Sequence, residues 1–91
     1  TAAIAASVVA AVAEEIFFRR LVYGWLEKWG TVLAIFGSAA LFAAIHVPIY
    51  GLKVLPLDFA AGLIFGWQRR ASGSWTAPAV THVFANLLAS M

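Results

Sequence analysis

Residues 13–20, AEEIFFRR, place two adjacent glutamates and two arginines directly after an uncharged apolar run. Each charged side chain at the middle of a bilayer costs about 2.5–3.5 kcal/mol on insertion scales, so such a group there needs a reason. Glu15 and Arg19 are four residues apart, in the acid-first order that favours an ion pair on one helical face. Glu14 is rotated from that face by about 100° and has no such partner in its own helix. The stretch predicts a structural ion pair beside a carboxylate available for chemistry, unless both glutamates lie at the membrane surface and face water.

The composition favours lipid as the surrounding solvent. Of the 91 residues, 64% are hydrophobic and 11% are charged, and the mean hydropathy is +0.93. Ordinary soluble domains carry roughly 25% charged residues, and a soluble domain this small has too little core to hide so much apolar surface. The chain has no cysteine, which excludes disulfides and thiolate metal sites, and its net charge of +2 is too small to suggest a nucleic-acid partner. We therefore expect an integral membrane protein.

Breaks in the apolar pattern divide the chain into four helical segments. Gly30 interrupts the first run, and Val47-Pro48 is expected to end the second, because a residue before proline avoids helical geometry. Residues 71–74 predict a tight turn. The predicted segments are Thr1–Lys28, Thr31–His46, Leu57–Arg70 and Trp75–Ser90. The predicted fold is all-α, a polytopic transmembrane bundle of about four spans, with residues 1–91 forming one domain that is the catalytic core of a longer membrane protein.

The basic residues predict an orientation in the membrane. If the helices alternate in direction, only Lys53 lies toward one side. Toward the other lie Arg19, Arg20, Lys28, Arg69 and Arg70. The positive-inside rule then places the arginine-rich loops in the cytoplasm.

Gly62 and Gly66 form a G-x-x-x-G motif in the third segment. Small residues at this spacing let a neighbouring helix approach closely, although apolar segments also contain the motif by chance. We expect a tight helix contact at this face.

Two histidines lie within the apolar segments. Phe42 and His46 share one helical face, and His82 and Asn86 share another, because each pair is separated by four residues. Either histidine alone is more often a packing residue than a catalyst, and a histidine–asparagine pair also suits an interhelical hydrogen-bond clamp. Taken with the charges of the first segment, however, these polar groups predict a functional site between the helices.

Three motifs in this order resemble those of the CPBP family of intramembrane proteases. They are Glu14-Glu15-x-x-x-Arg19, Phe42-x-x-x-His46 and His82-x-x-x-Asn86. The family, also described as the Abi domain, comprises CAAX-protease and bacteriocin-processing proteins and includes the type II CAAX prenyl endopeptidases. The stretch 59–66, FAAGLIFG, followed by Ser72-Gly73-Ser74, resembles the helix and turn before the last motif.

The resemblance implies a metal-independent endopeptidase without a cofactor. In it, Glu14 and His46 hold and activate a water that attacks the scissile carbonyl, and Glu15, tied to Arg19, orients the site. The resemblance also implies that His82 and Asn86 donate hydrogen bonds to the developing oxyanion, a role that suits an amide, which cannot act as a base. The expected partners are the bilayer and a peptide or protein substrate, which is lipidated or carries a C-terminal or leader signal. The expected location is the bacterial cytoplasmic membrane.

Two other interpretations remain open at the level of sequence. Glu14, His46 and His82 form a His₂Glu set of the kind that holds catalytic zinc. A membrane scaffold or bacteriocin self-immunity protein of the same fold would keep the bundle without catalysis. Other intramembrane proteases are unsupported, because the chain lacks G-x-S-G and H-E-x-x-H and has Asp58 as its single aspartate.

Overall fold

The computed structural model describes residues 1–89, which fold into four consecutive helices joined by short turns, with no strand among them. The prediction of an all-α fold is therefore confirmed, and so is the number of helices. The first helix, α1, combines four helical pieces. They are Ala2–Glu15, the π-helical Ile16–Val22, Tyr23–Leu26 and the 3₁₀ turn Glu27–Trp29. The others are α2 (Thr31–Tyr50), α3 (Leu55–Ser72) and α4 (Thr76–Ala89). Ser90, predicted to end the fourth segment, lies outside the described residues.

The π-helical piece of α1 was not predicted from the sequence. It is seen in the backbone bond from Tyr23 N–H to Phe18 O, which spans five residues instead of four. π-helical insertions are rare and often lie at functional sites. This one follows Glu15 directly and contains Arg19, so it lies beside the predicted ion pair.

The predicted end of α2 at Val47-Pro48 is wrong. The helix continues to Tyr50, and Gly51, at φ 87°, ends it. Pro48 removes one backbone donor, but it does so in the last turn, where only a few residues follow. The Gly51 N–H then donates to Val47 O at 2.7 Å and satisfies a carbonyl of that turn. Val47 therefore stays helical, although the residue before a proline usually prefers extended backbone.

The bounds of α3 and α4 differ slightly from those predicted. α3 begins at Leu55, two residues early, because Pro56 fits the first helical positions, where its missing N–H costs nothing. It continues to Ser72 and ends at Gly73, whose φ of 70° suits a helix C-terminus. α4 begins at Thr76, one residue later than predicted.

The G-x-x-x-G motif of α3 forms a close helix contact, as predicted. A Cβ placed on Gly62 would lie 2.8 Å from Ala39 Cα, and one on Gly66 would lie 3.2 Å from Ile35 Cγ2. Ala39 belongs to α2, so the backbones of α2 and α3 nearly touch at this point. Small residues are what make such an approach possible.

Gly62→Ala is expected to destabilise the protein by about 1–3 kcal/mol, because the added methyl group meets backbone that cannot move aside cheaply. Gly24→Ala is the matched control, since a Cβ at Gly24 meets nothing within 4 Å. In that helical position alanine is expected to be neutral or slightly stabilising. Thermal unfolding in detergent measures both variants, and equal melting temperatures would contradict the tight contact.

Apolar side chains cover the outside of the helices. Val9, Val32, Trp67 and Phe84, one on each helix, are each more than 60% exposed. Of the described helices, α2 is the one that is long and apolar enough by itself to cross a membrane, with a mean hydropathy of 2.1. The prediction that the other three helices also span the membrane stays a prediction.

Candidate active site

A cleft of about 780 Å³ lies between the four helices, toward the ends where α2 passes into α3. Glu14 of α1, His46 of α2, and His82 and Asn86 of α4 all line it. The structure therefore brings these four predicted residues, from three helices, to one cavity. Most of the remaining wall is apolar and includes several alanines of α1 and α4.

The other two predicted residues, Glu15 and Arg19, lie behind the cleft wall and are fully buried. Arg19 Nη1 donates to Glu15 Oε2 at 3.3 Å, which confirms the predicted ion pair. Arg19 Nη2 donates to Gly62 O at 3.0 Å. The pair thus connects α1 to the same point of α3 at which α2 makes its closest approach.

Aromatic rings surround the Arg19 guanidinium. Its Cζ lies 4.9 Å from the centroid of Phe42 and 5.1 Å from that of Phe65. Cation–π contacts of this kind stabilise a buried guanidinium when water is excluded. The Phe65 ring also stacks on the His82 imidazole at 5.0 Å, with 21° between the planes. The same rings therefore hold both the arginine and the histidine.

The two neighbouring glutamates have different surroundings. The Glu14 side chain is 31% exposed, whereas Glu15 is fully buried. Glu14 Oε1 lies 3.5 Å from His82 Nε2 and 3.7 Å from His46 Nε2. These separations exceed a direct hydrogen bond and leave each pair close enough for one water to bond both atoms.

Hydrogen bonds at the far side of each imidazole fix which nitrogen carries a proton. His46 Nδ1 lies 2.6 Å from Phe42 O, and a carbonyl only accepts, so Nδ1–H donates. In the neutral ring, His46 Nε2 then faces Glu14 as an acceptor. His82 Nδ1 lies 2.7 Å from Glu15 Oε2, and it donates to that carboxylate in the same way. His82 Nε2 is therefore an acceptor in the neutral ring and a donor in the imidazolium.

The Asn86 amide links two helices. Its Nδ2 donates to Ser7 O of α1 at 3.2 Å. This contact is the interhelical clamp that the sequence left open as an alternative. The oxyanion role of Asn86 remains a prediction.

A comparison with protein-family models supplies the family. The model described as "Rce1-like: Type II CAAX prenyl endopeptidase Rce1-like" matches residues 1–88. The chain belongs to this Rce1-like family. The expected kinship with CAAX proteases is thereby confirmed, and the family is one of membrane-embedded proteases. No curated protein and no solved structure matches the chain significantly.

Several residues around the candidate site were not predicted from the sequence. Phe65 lies in a stretch noted only for its resemblance, Gly62 was noted for a helix contact and not for its carbonyl, and Asp58 was noted only as the single aspartate. Tyr50 stacks on His46 at 6.1 Å, beyond the point where α2 was expected to end. Residues 58, 61 and 65 share one helical face, but no other local pattern indicates that these groups lie at the cleft. Their positions depend on how α3 packs on its neighbours.

Among residues 1–89, no group of three or more histidine, aspartate or glutamate side chains has the arrangement expected around a metal ion. Glu14, His46 and His82 remain the only set that the sequence analysis offered for this role.

Proposed function

We propose that the protein is an intramembrane endopeptidase in which Glu14 is the general base. The observation that supports this most directly is that Glu14, half-exposed in the cleft, faces the Nε2 atoms of both His46 and His82. A water bonded to Glu14 Oε1 and His46 Nε2 would give up a proton to the carboxylate as its oxygen attacks the scissile carbonyl. His46 would orient that water by accepting its second hydrogen.

In this mechanism Glu15 and Arg19 act as positioning residues. Glu15 Oε2 accepts from His82 Nδ1, and Arg19 holds the same oxygen. A carboxylate behind an imidazole fixes the orientation of the ring. Protonated His82 donates through Nε2, so it would stabilise the oxyanion of the tetrahedral intermediate.

Asn86 is assigned to the same oxyanion, and its replacement tests that role against the clamp. Asn86→Ala is expected to lower kcat by about 10²–10³ with little change in KM, as for a donor acting in the transition state. Melting temperature and kcat are measured on one preparation. A protein of lower melting temperature whose folded fraction keeps normal kcat would assign Asn86 to the packing of the helices and not to the oxyanion.

A zinc-dependent reaction is the alternative that the sequence analysis left open, although Glu14, His46 and His82 do not form a metal-binding group among the described residues. The two proposals are separated with the full chain in liposomes and a library of membrane-embedded peptides. Cleavage is expected to survive exhaustive EDTA treatment. Loss of cleavage with EDTA and recovery on added zinc would favour zinc held by Glu14, His46 and His82.

We further propose that all four helices cross the membrane, with the basic loops in the cytoplasm. The orientation rests on the number of basic residues in the loops of each side. Arg19 is buried and does not add to that number, whereas Arg20, Lys28 and Arg70 are exposed. The cleft would then open toward the side of Lys53, opposite to the cytoplasm. Cysteines at residues 73 and 51 should react with impermeant reagents from the cytoplasmic and opposite sides respectively, and the reverse pattern would overturn the orientation.

A further inference from the structure

The arginine-rich end of the bundle, opposite to the mouth of the cleft, holds all four tryptophans of the chain. They are Trp25 and Trp29 at the end of α1, Trp67 near the end of α3 and Trp75 in the turn before α4. The first three are 57%, 60% and 63% exposed. Tryptophan concentrates where the acyl chains of a bilayer meet the headgroups, so these indoles mark the level of the lipid phosphates at this end.

Two arginines of α3 lie at this level with unused hydrogen-bond donors. Arg69 Nε donates to Arg19 O at 3.0 Å, and Arg69 Cζ lies 4.9 Å from the centroid of the Tyr23 ring. Within residues 1–89, the Nη groups of Arg69 and the whole guanidinium of the exposed Arg70 have no hydrogen-bond or ion-pair partner. The planar fork of a guanidinium matches the oxygens of a phosphate group.

Tyr23 supplies a third polar group at the same place. Its side chain is fully buried, and among the described residues its hydroxyl has no hydrogen-bond partner. A buried hydroxyl in this state is unfavourable, so a partner from outside the chain would stabilise it. The charged groups that act on the phenol are the cations Arg69 and Arg70 and the carboxylate of Glu27. Two positive charges and one negative leave a net +1, which one phosphodiester balances.

We propose that Tyr23, Arg69 and Arg70 form a binding site for the phosphate of an anionic phospholipid. The two guanidinium groups and the Tyr23 hydroxyl donate to the phosphate oxygens, after a small shift of the side chains that cover the hydroxyl. The acyl chains lie against the apolar outer surface of the helices. Because Arg69 also bonds to the backbone of Arg19, the lipid stabilises the junction of α1 and α3. This inference rests on the proposed insertion in the membrane and not on the endopeptidase mechanism.

Thermal unfolding of the full chain in a neutral detergent tests the site. The probes are short-chain phosphatidylglycerol, phosphatidylcholine with the same acyl chains, and inorganic phosphate at matched ionic strength. Saturating phosphatidylglycerol is expected to raise Tm by about 5–10 °C. Phosphatidylcholine adds a cation to a basic site and inorganic phosphate brings no acyl chain, so each should raise Tm by less than half as much. An equal rise with phosphatidylcholine would overturn the selection of an anionic headgroup, and an equal rise with inorganic phosphate would overturn the assignment to a lipid.

Variants separate this site from the general attraction of a basic surface. The quantity compared is the concentration of phosphatidylglycerol that gives half of the rise in Tm. Arg70→Gln is expected to increase it about fivefold. Tyr23→Phe removes the hydroxyl without changing a charge and is also expected to increase it about fivefold. Lys28→Gln is the matched control, since it removes an exposed cation at the same end, and it should stay within about twofold of wild type.

The outcomes that contradict the site differ from those that contradict the proposed function. Equal weakening by Arg70→Gln and Lys28→Gln would assign the lipid effect to the charge of the whole surface. An unchanged half-point for Tyr23→Phe would also overturn the site. Each rise is measured from the same variant without lipid, so a lower starting Tm does not obscure the result, and Arg70 is exposed and can be replaced without disturbing the core. None of these variants alters a residue assigned to the reaction.

Discussion

Replacing Glu14 with glutamine is expected to lower kcat by about 10²–10⁴ while the protein stays folded, because an amide cannot accept the proton of the attacking water. The substitution keeps the size of the side chain, and Glu14 is partly exposed in the cleft. The melting temperature should therefore change little. Cleavage of a membrane-embedded peptide and thermal unfolding, measured on the same sample, give both quantities.

Glu27→Gln provides the comparison for this result, since it removes an exposed carboxylate from the same helix far from the cleft. It is expected to keep wild-type turnover. Near-normal turnover of Glu14→Gln would show that Glu14 is not the base. If no peptide is cleaved by any variant, the scaffold or self-immunity interpretation gains support.

Arg19→Met is expected to reduce stability by about 3–5 kcal/mol, because it leaves the fully buried Glu15 carboxylate without its cation. The methionine keeps much of the length of the side chain among Phe42 and Phe65. The lost interactions are the ion pair with Glu15, the hydrogen bond to Gly62 O and the cation–π contacts with Phe42 and Phe65. A fall of more than about 10 °C in Tm is expected for a chain of this size.

Two further variants identify the cause of that loss. Arg20→Met changes the exposed neighbour and should leave Tm close to that of the wild type. Adding Glu15→Gln to Arg19→Met removes the uncompensated charge, so it should recover much of the stability without restoring activity. If Arg19→Met alone unfolds at the wild-type temperature, the pair contributes nothing measurable.

Features that depend on helical periodicity were predicted correctly from the sequence. Glu15 and Arg19 pair because four residues complete about one helical turn, and Phe42 and His46 meet for the same reason. Gly30 ends α1 because its φ of 120° is open to glycine. The G-x-x-x-G contact also follows from local spacing.

Features that depend on packing between distant segments were not predicted. Nothing near Glu15 in the sequence indicates that His82 Nδ1 would lie 2.7 Å from it, or that the Gly62 carbonyl would receive a bond from Arg19. The length of α2 was misjudged because the helix continues through Pro48 and is closed by the bond from Gly51 N–H to Val47 O. The cleft itself exists only when all four helices are assembled.

The π-helical piece of α1 divides that helix into two parts with different neighbours. The part before Ile16–Val22 packs against α4, and the part after it packs against α2. At the junction, Arg69 Nε donates to Arg19 O at 3.0 Å and anchors α1 to α3. Arg19 therefore bonds α1 to α3 twice, through its backbone carbonyl and through its side chain to Gly62 O. A separation of α1 from α4 would break the bond from Asn86 to Ser7, whereas the close contact of Gly62 with Ala39 lies between α2 and α3.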